Sequence, residues 1–352
     1  MTGTALILGD GGVVGRHLAL RLNASPGWSA IGLSRRAEGP EGVVHIAADL
    51  LDRADLSRHA EGLQAVTHLF VAAKVAAADA VAEAERNVRL LANALDLLER
   101  HAPGLQRVVL VHGTKWYGCH LGPYAVPARE ADPSGPGPLF YFDQHDLVRV
   151  RSQACPAARR WTWCSLRPHT VWGYSQGSGN NLVTLIAVYA ALLKEAGLPL
   201  SFPGSEANFR KRSQATTADL LADALLWAAV APACAGQDVN IVNGGWFRWC
   251  DLWPSVAALF DMPPAPPDPV PLVKRMKPLE AAWPALCDRH GLRERDLGQL
   301  VNWAYGDGLF GVTWDDVSAM DKARRLGFHA TEDNGAALLR ILDGLRRDRI
   351  VP

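Results

Sequence analysis

Residues 6–15 read Leu6-Ile7-Leu8-Gly9-Asp10-Gly11-Gly12-Val13-Val14-Gly15, an apolar run followed by a glycine turn and the start of a helix. Glycines at 9, 12 and 15 let the backbone approach a pyrophosphate closely. The N-terminus of the helix adds free N–H donors and the positive end of its dipole. The stretch therefore predicts a strand, a turn and a helix over 13–22 that together bind a dinucleotide.

Apolar strands and helical patterns alternate through the first half of the chain. Strands are predicted at 4–8, 29–33, 43–47, 68–72, 107–112 and 164–167, and helices at 13–22, 76–101 and 142–153. This alternation is typical of an α/β protein with a doubly wound parallel sheet of the Rossmann type. We expect the NADP-binding core to cover residues 1–175.

Helical patterns dominate the second half. Helices are predicted at 181–196 and 218–230, a strand at 239–242, and further helices from 249 onward, separated by a proline-rich connection at 262–271. We therefore expect residues 176–352 to form a mixed region. It completes the sheet at about 213–243 and otherwise forms a mainly helical cap that binds the substrate.

Composition excludes several classes of protein. Lys plus Arg and Asp plus Glu number 36 each in 352 residues, and 49% of the residues are hydrophobic. A neutral chain does not favour nucleic-acid binding, and an apolar chain is not disordered. No apolar run spans a membrane, no signal peptide is visible, and the six cysteines lack metal-site spacing. We expect a cytoplasmic protein without a metal, whose twelve tryptophans either line a cavity or fill the core.

The residues after the second predicted strand bear on the choice of cofactor. An NAD-selective site places a carboxylate there, about 20 residues beyond the glycine turn. This chain has Ser34, Arg35 and Arg36 instead. Guanidinium groups bind a 2′-phosphate through charge-assisted hydrogen bonds, so the sequence favours NADPH over NADH. The alternative is that both arginines are simply solvated. Asp49 follows the third strand, where it accepts from the adenine amino group or is a solvated loop residue.

A short-chain dehydrogenase usually carries Tyr and Lys four residues apart on one helix, and that pattern is absent. Tyr141 is followed four residues later by His145. Lys115 instead follows the predicted strand 107–112 directly, where its side chain would reach the cofactor crevice. Tyr141 opens the next helix. The pair therefore replaces the usual arrangement as the candidate catalytic set.

These residues resemble the progesterone 5-beta-reductase/iridoid synthase-like (PRISE) enzymes, an atypical branch of the short-chain dehydrogenase/reductase superfamily. The resemblance extends over almost the whole chain. It rests on the glycine turn, Ser34-Arg35-Arg36, Gly113-Thr114-Lys115-Trp116-Tyr117-Gly118, Phe140-Tyr141, Arg167-Pro168-His169-Thr170-Val171-Trp172-Gly173-Tyr174-Ser175, Tyr189-Ala190, and the segments 197–205, 218–220, 240–244, 322–328 and 349–352.

The resemblance implies reduction of the C=C bond of an enone or enal by NADPH. Hydride adds to the β-carbon, while Tyr141 and Lys115 stabilise the enolate. Carbonyl reduction by the same pair is the second interpretation, and an NADPH-binding sensor or scaffold without turnover is the third. The chain departs from the family pattern at three positions, where Leu139 replaces Asn, Phe142 replaces Tyr and His145 replaces an acidic residue.

The remaining candidate residues surround these two groups. Further cofactor contacts are expected from Leu50, Ala72, Thr114, Pro168, His169 and Thr170. The apolar substrate wall is expected from Trp116, Tyr117, Trp172, Tyr174, Phe209, Trp303 and Phe310. The basic segment 208–212 meets an acidic substrate group or, more simply, is a solvated loop. The expected partner is a small apolar carbonyl compound, and a homodimer is left open.

Overall fold

A seven-stranded parallel sheet organises the protein, which we describe from a computed structural model over residues 3–352. The strand order is β10-β6-β5-β4-β1-β2-β3. These strands are β1 (Gly3–Leu8), β2 (Trp28–Ser34), β3 (Val44–Ala47), β4 (His68–Val71), β5 (Arg107–Val111), β6 (Thr162–Pro168) and β10 (Gln237–Ile241). Short two-stranded pairs join β7 (Val171–Trp172) to β9 (Thr216–Thr217) and β8 (Leu200–Ser201) to β11 (Pro264–Ala265). The Rossmann-type α/β fold that the sequence predicts is confirmed.

Helices cover both faces of the sheet, which is why its central strands are apolar on both sides. The helices are α1 (Val13–Asn23), α2 (Arg53–Ser57), α3 (Ala80–His101), α4 (Phe140–Ala154), α5 (Leu182–Glu195), α6 (Glu206–Arg210), α7 (Ala218–Val230), α8 (Trp249–Leu259), α9 (Leu272–Met276), α10 (Trp283–His290), α11 (Trp303–Phe310), α12 (Asp321–Arg325) and α13 (Asn334–Arg347). Ile7 packs with α1 and α7, whereas Leu6 and Leu8 pack with α3. Within residues 3–352, none of these helices combines the length and the apolar composition that a membrane crossing requires.

The strand order reverses between β1 and β4. To one side of this point the chain continues to β2 and β3, and to the other side to β5, β6 and β10. In open α/β sheets, ligands bind beyond the carboxyl ends of the strands at this reversal. Gly9 follows β1 and Ala72 follows β4, so both lie at that edge. The topology therefore agrees with a cofactor site at this edge, where the sequence predicts it.

The second half of the chain builds a separate apolar core. Helix α5 is buried along nearly its whole length and packs against α13 and α11. The largest fully buried side chains in the protein include Trp161, Trp172, Trp253 and Trp283. Three of these four lie in this second core, so much of the tryptophan excess fills space between helices.

Helix boundaries mostly agree with the sequence pattern, and the differences are local. The helix predicted at 76–101 begins at Ala80, where Asp79 accepts a hydrogen bond from Ala82 N and caps it. The helix predicted at 142–153 begins two residues earlier, at Phe140. This shift places Tyr141 inside the first turn of α4. The two-residue strands β7, β8, β9 and β11 are too short to leave a periodic signal.

Candidate active site

Close backbone approach explains the glycine turn. Gly9 has φ +87°, and a Cβ there would lie 2.7 Å from the Cα of Ala73. A Cβ on Gly15 would lie 2.2 Å from the carbonyl oxygen of Gly9, so helix α1 packs on β1 only with glycine at this position. Gly12 is the N-cap of α1 and provides no side-chain hydrogen bond. The N–H groups of the first turn are therefore available to an anion.

A groove of about 420 Å³ runs from this turn across the ends of β1, β2 and β3. Half of the predicted cofactor residues line it, namely Gly9, Gly11, Gly12, Ser34, Arg35, Arg36, Asp49, Leu50 and Ala72. The hydroxyl of Ser34 is buried and has no hydrogen-bond partner within residues 3–352. An unpartnered buried hydroxyl beside two exposed arginines fits a phosphate ligand, because each group still needs a charged or polar partner.

Asp10, the one carboxylate inside the glycine turn, points away from this groove. It is fully buried, and its Oδ2 lies 2.6 Å from Nδ1 of His45. The other ring nitrogen of His45 lies 2.9 Å from the carbonyl oxygen of Arg36. Asp10 and His45 therefore hold the backbone that carries Arg36. The sequence analysis assigned no role to this pair, which is 35 residues apart in the chain.

Asp49 lies at the β3 end of the groove, where its carboxylate is only partly engaged. Its Oδ1 accepts a hydrogen bond of 2.9 Å from Leu51 N, which shapes the turn after β3. Leu50 and Leu90 supply apolar contact surface beside it. The geometry is compatible with an adenine ring between the leucines and an amino group near the second carboxylate oxygen.

A second cavity, of about 520 Å³, continues from the groove and shares Ala72, Ala73 and Lys74 with it. We call this cavity the catalytic cleft. It is lined by Val14, Thr114, Lys115, Tyr141, Pro168, His169 and Thr170 among the predicted residues. Of the predicted cofactor residues, only Val13 and Gly15 line neither cavity, since both lie inside the turn between β1 and α1.

Tyr141 reaches this cleft from the first turn of α4. Its hydroxyl would lie 3.3 Å from a Cβ on Gly113, so glycine at 113 leaves room for it. Its ring stacks on His112, with centroids 4.6 Å apart. Burial, with smaller contributions from Cys119 and Glu83, raises the pKa of the Tyr141 phenol above its usual value. The phenol is therefore protonated at neutral pH and can donate a hydrogen bond.

Lys115 and His112 complete the polar wall around this phenol. Lys115 is exposed to the cleft and forms no ion pair within residues 3–352. His112 is buried, and its Nδ1 lies 2.9 Å from Ser165 Oγ. Burial and the nearby Arg167 lower the pKa of His112 to about 3. The imidazole is therefore neutral, and Lys115 supplies the positive charge of this wall.

Comparison with known proteins identifies the family. The PRISE-like Rossmann-fold domain matches residues 43–352. The chain belongs to the PRISE family. A 3-oxo-Delta(4,5)-steroid 5-beta-reductase from Arabidopsis thaliana is 30% identical, with 99% of this chain and 93% of that protein covered. An (S)-8-oxocitronellyl enol synthase from Camptotheca acuminata is also 30% identical over the same shares. The predicted resemblance and the class of NAD(P)-dependent oxidoreductase are confirmed.

Solved structures agree on the fold. A UDP-glucose 4-epimerase from Thermus thermophilus, complexed with NAD, superposes with a TM-score of 0.68 and 18% identity, covering 97% of this chain and 99% of that one. A UDP-glucose 4-epimerase from Thermotoga maritima superposes with a TM-score of 0.70 and 14% identity, covering 98% of this chain and 99% of that one. At these identities the likeness supports only the architecture of this PRISE protein.

The three departures from the PRISE pattern have visible local consequences. Leu139 is the N-cap of α4 and makes no side-chain hydrogen bond, which costs about 1 kcal/mol relative to a capping Asn. Phe142 packs edge-on against Trp116, with centroids 5.0 Å apart. His145 lies 3.3 Å from an oxygen of Asp238. None of these contacts involves the Tyr141 hydroxyl.

The seven aromatic residues predicted as the substrate wall do not line the catalytic cleft of this PRISE protein. Trp116 stacks under the guanidinium of Arg167 at 3.8 Å, and Tyr117 hydrogen-bonds to Asn240 at 2.7 Å. Both are held by the polar layer between β5, β6 and β10. The other five belong to, or pack against, the second apolar core, namely Trp172, Tyr174, Phe209, Trp303 and Phe310.

Helix α11 lines the cleft with a different face from the one that carries the predicted wall residues. Trp303 and Phe310 face the core, whereas Ala304, Tyr305, Gly308 and Leu309 line the cleft. The sequence does not indicate which face of α11 lines the cleft, because α11 is apolar around most of its circumference. Other cleft residues were not predicted from the sequence, namely Cys119, His120, Phe140, Val312 and Asp316. Cys119 and His120 follow Lys115 so closely that the turn after β5 could have indicated them.

Proposed function

We propose that this protein reduces the C=C bond of enones or enals with NADPH, adding hydride to the β-carbon. The observation that carries the proposal is the presence of Lys115 and Tyr141 in one cleft that continues into the dinucleotide groove. The relatives named for a steroid 5-beta-reductase and an oxocitronellyl enol synthase support the same class of substrate. The bound cofactor would supply the hydride.

The Tyr141 hydroxyl has no hydrogen-bond partner within residues 3–352 and is free for the substrate. Because its pKa is raised, it remains a donor while negative charge develops on the carbonyl oxygen. Lys115, from the turn after β5, adds an ammonium group to the same wall. Hydrogen-bond donors and cations placed where charge develops stabilise an enolate more than they stabilise the neutral enone.

Cofactor selection in this proposal depends on the groove. Arg35, Arg36 and Ser34 would hold the 2′-phosphate, and the first turn of α1 would hold the pyrophosphate. Pro168 ends β6, His169 and Thr170 follow it, and all three would contact the nicotinamide end. His169 is fixed there by Ser318, whose Oγ lies 2.9 Å from its Nε2. Its role is therefore to shape the pocket.

Product identification tests the proposal directly. The purified protein is incubated with NADPH and a panel of enones, enals and matching saturated ketones, and the products are identified by mass spectrometry and NMR. Saturated ketones and aldehydes from the unsaturated substrates are expected. Allylic alcohols as the sole products would replace this proposal with carbonyl reduction, and NADPH binding without any turnover would indicate a sensor or scaffold.

A further inference from the structure

A small side pocket branches from the catalytic cleft next to Asp316. Its volume is about 50 Å³, and it shares Thr170, Leu309, Val312 and Asp316 with the cleft. Its other lining residues are the polar Lys211, Ser213 and Gln214 and the apolar Trp172, Leu182, Phe247, Trp249 and Phe310. A space of this size holds a single small polar group.

Lys211 provides the positive charge in this pocket. It lies in the basic segment 208–212, whose two arginines are engaged elsewhere, since Arg210 pairs with Glu206 and Arg212 pairs with Asp315. The Lys211 ammonium donates one hydrogen bond, 2.9 Å to Ser213 Oγ. No carboxylate lies within 4.0 Å of it in residues 3–352. Burial lowers the pKa of Lys211, although Asp316 and Asp315 act in the opposite direction.

Asp316 provides the opposite charge at the mouth of the pocket. Its Oδ1 accepts from the hydroxyl of Tyr124 and lies 3.7 Å from Nδ1 of His169. Its Oδ2 has no hydrogen-bond partner within residues 3–352 and the side chain is 22% exposed. An ammonium with spare donors and a carboxylate with a spare acceptor therefore flank one small space without meeting each other.

A neutral group that both accepts and donates satisfies these two charges together. A carboxylate on the ligand would be repelled by Asp316, and an amine would be repelled by Lys211. A hydroxyl accepts from an ammonium and donates to a carboxylate. We propose that the side pocket binds a hydroxyl group of the substrate, remote from the reacting double bond, so that hydroxylated enones are preferred. This inference rests on the proposed enone reduction and names its substrate class.

Matched substrates provide the test. The value of kcat/KM is measured for enones bearing a hydroxyl at increasing distance from the double bond, and for each deoxy analogue and methyl ether. Because hydrogen bonds to charged groups are the stronger ones, the best hydroxy-enone should exceed its deoxy analogue by about tenfold. The methyl ether, which cannot donate to Asp316, should lose most of this advantage.

Substitutions assign the preference to the pocket. Lys211→Met should reduce the preference to about twofold or less, while turnover of the deoxy analogue changes by less than about threefold. Asp316→Leu should reduce the preference to the same level, measured as the ratio of the two kcat/KM values within the variant, because Asp316 also lines the catalytic cleft. If Asp316→Leu folds poorly, Asp316→Asn replaces it. This variant retains an acceptor for Tyr124 and should give an intermediate preference. Arg210→Met is the control, because it removes a neighbouring charge outside the pocket and should leave the preference unchanged.

The outcomes separate this inference from the function on which it rests. Reduction of deoxy and hydroxy-enones at equal rates would overturn the hydroxyl site and leave enone reduction intact. A preference that survives both Lys211→Met and Asp316→Leu would also overturn it. If no enone is reduced, the proposed function fails, and the hydroxyl site is then tested by binding instead of turnover. In that case, tighter binding of saturated hydroxyketones than of their deoxy analogues, in isothermal titration calorimetry, would show that only the reaction was misassigned.

Discussion

Removing both guanidinium groups after β2 tests the choice of cofactor. Arg35 and Arg36 are exposed, line the groove and form no ion pair within residues 3–352. Each would make a charge-assisted hydrogen bond to a 2′-phosphate, worth about 1.5–3 kcal/mol when well shielded and less at an exposed site. We therefore expect Arg35→Ala combined with Arg36→Ala to weaken NADPH binding by about 2–3 kcal/mol, which raises the dissociation constant roughly 30- to 150-fold.

NADH lacks the phosphate, so its dissociation constant should change by less than about threefold in the same variant. Equilibrium titration of both cofactors by nicotinamide fluorescence measures the two losses. Displacement of NADPH by 2′-phosphorylated AMP, compared with its displacement by AMP, isolates the contribution of the 2′-phosphate to binding. Raising the salt concentration should weaken NADPH binding to the unmodified protein more than NADH binding, because the arginines are screened by solvent ions.

Arg149→Ala is the matched control, because Arg149 is an exposed arginine that pairs with Asp146 on α4, away from the groove. It should leave both dissociation constants unchanged. Equal losses for NADPH and NADH in the double variant would refute the phosphate argument and indicate that the arginines only maintain the local backbone. An unchanged NADPH affinity would refute it outright and return both side chains to the status of solvated residues.

Three further outcomes are expected. Tyr141→Phe should lower kcat by about 10²- to 10³-fold with unchanged NADPH affinity, whereas Tyr189→Phe, which loses a hydroxyl bonded to Ser201, should leave kcat intact. Gly15→Ala should lower the melting temperature of the cofactor-free protein by several degrees, and Gly12→Ala, whose Cβ would lie 3.4 Å from Gly9 O, should do so far less. Burial and Arg107 lower the pKa of His68 to about 4. The free energy of unfolding, measured in urea, should therefore fall by up to about 3 kcal/mol as the pH drops from about 7 towards 4. His68→Gln should flatten this pH dependence.

The sequence predicts most of the cofactor groove because its residues are close to the strands that position them. Gly9 and Asp49 follow β1 and β3, Ser34 ends β2, and parallel strands bring their carboxyl ends to one edge. Lys115 and Tyr141 were also predictable, since each follows a strand or opens a helix. The lining residues common to the groove and the cleft, such as Ala72, come from the same edge.

The substrate side could not be predicted in the same way. Whether Trp303 or Tyr305 faces the cleft depends on how α11 rotates against α5 and α9, and an apolar helix carries no periodic signal for that rotation. Asp316 reaches the cleft from a loop whose position depends on contacts distant in the chain. Its backbone N–H donates to the carbonyl oxygen of Arg212, and Trp314 Nε1 donates to that of Cys119.

Two of the three departures near Tyr141, namely Phe142 and His145, make physical sense as one repacked layer. Arg167 is 1% exposed and needs a nearby negative charge, which Asp238 supplies at 3.1 Å from β10. An acidic residue at 145 would place a second carboxylate beside Asp238, whereas the His145 ring lies 3.3 Å from the free oxygen of that group.

The aromatic contacts of this layer involve the same residues as its charged contacts. The Trp116 ring meets Arg167 on its face and packs edge-on against both Phe142 and His145. Because Phe142 presents no hydroxyl to this layer, its contact with Trp116 needs no further polar partner. The ion pair between Arg167 and Asp238 and the edge-on ring contacts of Trp116 therefore hold the first turns of α4 in place. Tyr141 can then keep its hydroxyl free for substrate although three neighbouring positions differ from the PRISE pattern.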